Sequence, residues 1–167
     1  MILLGVDPGF SVTGYSILKK EENKTIILDY GYLKMSSKKE LSERTGIFYS
    51  FFKEKIETYK VTDLALETSF LGKNAQTFLK LGYLRGILYL LSNQNNLKIY
   101  EFAPREVKNS VTGFGGASKD QVALMILAMF PKLSQFGQIE KQDVTDAIAI
   151  SICGVWKYNQ NELLKKL

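Results

Sequence analysis

The order of apolar segments predicts a mixed α/β domain, strands first and then strands alternating with helices that cover the sheet. Short apolar runs that end at turn residues mark the strands, and apolar stripes at helical spacing mark the helices. A length of 167 residues fits one ordinary domain, and 46% hydrophobic with 23% charged residues supports a substantial core. Ile2 to Val6 is a continuous apolar run that closes on Asp7-Pro8-Gly9, a buried strand leaving into a turn. Thr13 to Leu18 and Thr25 to Leu33 are β-rich, and the polar Lys19 to Lys24 separates them as two arms of an antiparallel meander. Leu41, Phe48, Phe52, Ile56 and Tyr59 then form one stripe of an amphipathic helix. Val61 to Leu66 returns to a short strand ending at Glu67. Asn74 to Leu91 reads as a long helix and Lys98 to Phe102 as another strand. Pro104 opens a short helix at its favoured first-turn position. Gly113 to Ala117 is a loop, Ser118 caps a helix running to about Phe130, and Asp143 begins a last helix through Trp156.

Two counts exclude much chemistry. With no histidine and one cysteine, the chain cannot build a Ser-His-Asp or Cys-His nucleophilic site, a His- or Cys-rich zinc site, or a disulfide scaffold. Catalysis then rests on carboxylates, lysines, tyrosines or a hard metal ion. Apolar stretches such as Ile87 to Leu91 are far short of a membrane span, and Asp7 interrupts the opening apolar run before a signal-peptide core forms. Cys153 in an apolar helical context suits a reducing interior. The expectation is a cytoplasmic protein without membrane attachment. The net charge of +5 falls unevenly: residues 1–67 are balanced, while 68–167 hold an excess of bases. Thr68 to Tyr100 has no acid but carries Lys73, Lys80, Arg85 and Lys98, a stretch that reads as a polyanion contact or as a solvated helix.

Four carboxylates lie at element ends. Asp7 and Glu67 close two apolar strands, at the edge where open α/β sheets bind ligands, although an acid also caps a turn or meets water there. Asp143 and Asp146 share one face of a helix in its first turn, a spacing that equally describes a capping pair. Taken together and without histidine, the four form a constellation suited to divalent metal, and oxygen-only ligands select Mg²⁺ or Mn²⁺ over zinc. Two such ions roughly 3.5–4 Å apart can activate a water and stabilise the leaving oxygen of a phosphodiester.

Gly5-Val6-Asp7-Pro8-Gly9, followed by Thr13-Gly14-Tyr15 and then by Leu66-Glu67 with Phe70, resembles the opening segments of the RuvC family of Holliday-junction resolvases. Lys73-Asn74-Ala75, Leu79-Lys80-Leu81-Gly82, Arg85-Gly86 and Arg105-Glu106-Val107-Lys108 follow in family order. The loop Val111 to Gly116, then Lys119-Asp120-Gln121-Val122 and Asp143-Val144-Thr145-Asp146-Ala147-Ile148-Ala149, complete the set to about Cys153.

That resemblance implies an RNase H-like domain over residues 1–153. It has a mixed five-stranded sheet, antiparallel meander first and then parallel strands, with helices on both faces; residues 154–167 form a C-terminal extension. It implies a homodimer that resolves four-way DNA junctions in recombination and repair, leaving 5′-phosphate nicks, with a RuvA-RuvB branch-migration complex as partner. Asp7, Glu67, Asp143 and Asp146 match the family's metal-binding acids, with Asp7 bridging two Mg²⁺ ions for which Mn²⁺ substitutes. Lys108 and Lys119 match its functional lysines, Lys119 among the catalytic set, and Phe70 matches an aromatic that contacts unpaired bases. Phe70 also reads as a core or interface residue. Lys73, Lys80 and Arg85 extend the expected DNA contacts. Gly82 and Gly86 suit close approach of a partner helix, or helix–sheet packing. Rival readings are an RNase H-like nuclease for other branched DNA or RNA–DNA hybrids, and a non-catalytic junction-binding protein. The Lys132 to Lys141 connection carries no motif, and the tail with Trp156, Tyr158 and Leu163-Leu164 lies beyond the matched segments.

Overall fold

A computed structural model of the chain describes residues 1–22, 24–68, 75–131, 133 and 142–165. Three strands come first: β1 (Ile2–Asp7), β2 (Val12–Lys20) and β3 (Thr25–Lys34), joined as an antiparallel meander. Next come α1 (Leu41–Tyr59), β4 (Asp63–Glu67), α2 (Ala75–Gln94) and β5 (Lys98–Phe102). Three helices finish the chain: α3 (Pro104–Thr112), α4 (Lys119–Met129) and α5 (Gln142–Leu164). The sheet order is β3-β2-β1-β4-β5, with β4 parallel to both β1 and β5. This is the mixed five-stranded sheet that the sequence predicts.

Because successive strand residues face opposite sides, the central strands β1, β2 and β4 feed two cores. Leu4, Val6, Ile17, Leu64 and Leu66 face α1 and α2, where Phe48, Phe52, Leu84, Leu88 and Leu91 are fully buried against them. Leu3, Leu18 and Ala65 face the other way, onto Val107, Val122, Ile126, Ile148 and Ile152 of α3, α4 and α5. Helices therefore cover both faces. The same alternation sends Asp7 to the α5 side with Leu3, and Glu67 to that side with Ala65.

Small residues let α5 lie directly on the sheet. A Cβ on Gly14 would stand 1.8 Å from the Asp143 carbonyl oxygen, and one on Gly5 would stand 2.0 Å from Ser151 Oγ. Neither position admits a side chain without moving the helix. Ser16 and Ser151 hydroxyls meet at 2.6 Å, and Ser16 Oγ donates to the Ala147 carbonyl at 3.1 Å, so their burial leaves no polar group unpaired.

Several boundaries differ from expectation for local reasons. Leu41 begins α1 but stays exposed, because the buried stripe starts with Arg44, whose guanidinium donates to the Phe10 carbonyl and lies over the Phe10 ring. The last helix passes Trp156 and reaches Leu164, crossing the expected 153/154 boundary without a break. Val155 is buried in the α5-side core, with Tyr158 packed against that core. Asp143 lies inside the first turn of α5 after Gln142, so the pairing of Asp143 with Asp146 is not an N-cap arrangement. Phe70, Lys73 and most of the Lys132–Lys141 connection lie outside the described residues. No helix among the described residues is long and apolar enough to cross a membrane.

Candidate active site

Strand register brings the first two acids together. Val6 pairs with Leu66 across the parallel β1–β4 ladder, so the next residues, Asp7 and Glu67, leave the sheet side by side. The turn after Asp7 is pinned by Thr13, whose hydroxyl accepts from Gly9 N at 3.1 Å and donates to the Gly9 carbonyl at 2.7 Å. Asp7 is also the cross-strand partner of Gly14, the glycine on which the first turn of α5 rests. The contact that seats α5 thus delivers Asp143 and Asp146 to the end of β1.

A cavity of about 290 Å³ opens at this edge and is lined by Asp7, Glu67, Asp146, Lys108 and Lys119, with Pro104 at its rim. Two helix starts set the lysines. Pro104 starts α3, placing Lys108 one turn in. Ser118 and Gln121 form a reciprocal capping box that fixes the start of α4 at Lys119. Lys119 Nζ then reaches Asp146 Oδ2 at 2.8 Å.

The electrostatics are those of crowded acids. Burial first, and then the charges of Asp146, Glu67 and Asp143, together raise Asp7 from 3.8 to about 7, while Lys119 opposes them. Glu67 is raised by burial and by Asp146, against Lys119 and Lys108. Lys119 is itself raised, first by its hydrogen bond to Asp146. Like charges held this close disfavour the ionised state unless a cation joins them.

Among the described residues, no group of three or more acids or cysteines is arranged as a cage around one ion. The Lys119 ammonium stands among the carboxylates instead, bonding Asp146 and acting on Asp7 and Asp143. The donor set nonetheless fits a hard divalent cation. It supplies carboxylate oxygens, and the repulsion that raises Asp7 is what such a cation relieves.

The other sequence-predicted contacts divide. Lys80 is exposed on α2, with its ammonium 6.0 Å from the centre of the Phe10 ring. Arg85, expected among DNA contacts, is turned inward: its guanidinium donates to the Glu67 carbonyl, the Glu101 carboxylate and the Tyr89 hydroxyl. Thr13, Ser16, Ser151 and Arg44 support the site without having been singled out for it. The Gly-x-x-x-Thr spacing after Asp7 is a local signal for Thr13. The Ser16–Ser151 pair spans 135 positions and has none.

The family model for the crossover junction endodeoxyribonuclease RuvC matches residues 3–154. Over 157 residues the chain is 45% identical to a crossover junction endodeoxyribonuclease RuvC of Chloroherpeton thalassium, covering 94% of this chain and 83% of that protein. It is 44% identical over 153 residues to the same-named protein of Chlorobium phaeobacteroides, covering 92% and 80%. Among solved structures, T. thermophilus RuvC in complex with a Holliday junction substrate superposes with a TM-score of 0.86 at 22% identity, covering 96% of each chain. That structural match shows a shared fold.

Proposed function

The chain belongs to the RuvC family of crossover junction endodeoxyribonucleases, and on that premise we propose that it resolves four-way DNA junctions at the Asp7–Glu67–Asp143–Asp146 centre. The observation that carries this assignment to the centre is Asp7, half-buried at a strand end amid the charges of the other three acids. A protein that only bound a polyanion would gain nothing from such a cluster. The four acids would hold divalent cation, Mg²⁺ by preference with Mn²⁺ as substitute. When bound, that cation supplies an activated water and offsets charge on the scissile phosphate.

The protein's own groups do the rest. Lys119 and Lys108 draw the phosphate into the cavity and oppose the negative charge that grows on its oxygens during attack. Asp146 holds Lys119 in place through the 2.8 Å bond. The capping box fixes the backbone from which Lys119 projects, so little reorganisation is needed as the charge develops. Hydrolysis breaks the P–O3′ bond, leaving a 3′-hydroxyl and a 5′-phosphate that a ligase can seal.

A second copy of the chain presents a second site, so paired nicks fall on opposed strands of a twofold-symmetric junction. The outer side of α2 supports this pairing. Gly82 and Gly86 have open space where a Cβ would stand, and Leu79, Tyr83 and Leu90 are exposed beside them. Phe70 and Lys73 would meet the crossover, and Lys80 the flanking backbone. We place the enzyme in the cytoplasm, acting with a RuvA-RuvB complex; residues 1–153 form the nuclease domain, and the extension from residue 154 continues its last helix.

The test is cleavage of synthetic four-way junctions, plain duplexes and RNA–DNA hybrids, with and without Mg²⁺ and with nick positions mapped. Symmetric Mg²⁺-dependent nicks in the junction alone support the proposal. Equal cutting of the hybrid would replace it with a broader nuclease.

A further inference from the structure

The acid-free stretch of α2 suggested an arginine free for nucleic acid, yet Arg85 is the most fully engaged cation described on that helix. Its side chain is 12% exposed. It donates to the main-chain carbonyl of Glu67 at the end of β4 and to the carboxylate of Glu101 on β5. A further bond of 2.9 Å reaches the Tyr89 hydroxyl, which in turn donates to Glu101 Oε1 at 2.6 Å. The guanidinium also lies 5.7 Å from the centre of the Tyr89 ring. A planar fork held by three acceptors on three elements has little freedom left, and Glu101 offsets its charge. Little is left over for a phosphate.

We propose that Arg85 is a positioning residue for Glu67, a bracket from α2 that fixes the backbone from which this carboxylate enters the site. Glu67 ends its strand: Thr68 N and the Thr68 hydroxyl both donate to the Phe102 carbonyl, at 2.8 Å and 3.2 Å, and β4 goes no further. Both bonds converge on one acceptor on the β5 side, so a hold from α2 restrains the last peptide of β4 against tilting about it. The Glu67 side chain faces α5, while its carbonyl is gripped from the α2 side. The helix whose outer surface is proposed to pair two copies therefore also holds a carboxylate of the cleavage centre. This inference rests on the reading of Glu67 as part of that centre.

The experiment compares wild type with Arg85→Lys, which keeps the charge and loses the fork. Cleavage is measured under single turnover at saturating junction, and junction affinity without metal. Thermal stabilisation by Mn²⁺ is followed across a titration. The expected result is a rate lowered about 10–100-fold, the loss typical of groups that orient metal ligands, with junction affinity unchanged and a higher Mn²⁺ midpoint. Weakened junction binding with the maximal rate retained would make Arg85 a DNA contact and overturn the proposal, as would wild-type behaviour in all three readouts. Should Arg85→Lys fail to fold, Tyr89→Phe removes one acceptor while leaving the arginine, and the same outcomes apply with a smaller loss. If wild type nicks no junction, the functional reading falls. The difference in Mn²⁺ midpoint still decides the positioning claim.

Discussion

The two faces of the sheet are packed on different terms. On the α1–α2 face, bulky Phe48, Phe52, Leu84, Leu88 and Leu91 fill the space between helix and strand. On the α5 face, Gly5, Gly14 and Ser16 remove bulk so that the helix backbone touches the strands. Bulky side chains absorb a small displacement by changing rotamer. A backbone contact at van der Waals distance cannot. The α5 acids proposed to be catalytic sit on the unyielding face, and the surface proposed to receive a second copy sits behind the compliant one.

Charge at the site tests this contrast most strongly. Lys119→Met removes the cation bonded to Asp146, and junction cleavage is expected to fall about 10²–10³-fold, the usual cost of losing one transition-state donor. Measured as a single-turnover rate on bound junction, that loss should be far larger than any change in folding stability.

A paired substitution compares the faces directly. Gly14→Ala pushes against the Asp143 carbonyl and displaces the first turn of α5, so cleavage should drop about 100-fold while the chain stays folded. Phe48→Ala empties the opposite core and should cost about 3–5 kcal/mol in urea unfolding. Per folded molecule, at low temperature, its cleavage rate should stay near wild type. Equal activity losses from both would show that the faces do not differ.

Asp7 supplies a pH-dependent test. Its value of about 7, against an ordinary 3.8, means that the metal-free fold binds this proton more tightly than the unfolded chain does. The resulting stability is complete below about pH 4 and is lost as pH rises through about 7. Metal-free melting temperature should therefore fall over that interval. Asp7→Asn should flatten the fall and melt about 2–4 °C higher at pH 8, the shift that ~1 kcal/mol gives a chain of this size. Added Mg²⁺ at pH 8 should raise wild type and leave the variant nearly unmoved.

The smallest effect on the fold is expected at the outer surface. Leu90→Glu, 49% exposed in wild type, should leave the melting temperature unchanged and shift sedimentation from dimer to monomer. An unchanged dimer would separate the pairing surface from α2.

Sequence alone exposes the parts of this design whose signals are local. Strand alternation places Asp7 and Glu67 on one side, and Ser118 with Gln121 announces the start of α4. The seat of α5 is hidden because Ser16 and Ser151 become partners only when the chain returns to the sheet after 135 positions. Arg85 reads as a surface base because its partner Glu101 lies on a later strand, so acid-free local sequence suggested an unpaired charge. Leu41 joins the helical stripe by spacing, but tertiary packing gives its place to Arg44.

The central claim is that these crowded carboxylates cut the junction instead of merely shaping its binding site. Wild type and Asp7→Asn, each mixed with a labelled four-way junction in Mg²⁺, should be followed for binding and nicking in the same samples. The account predicts equal junction binding and no nicks from Asp7→Asn. Wild-type nicking by Asp7→Asn would contradict it.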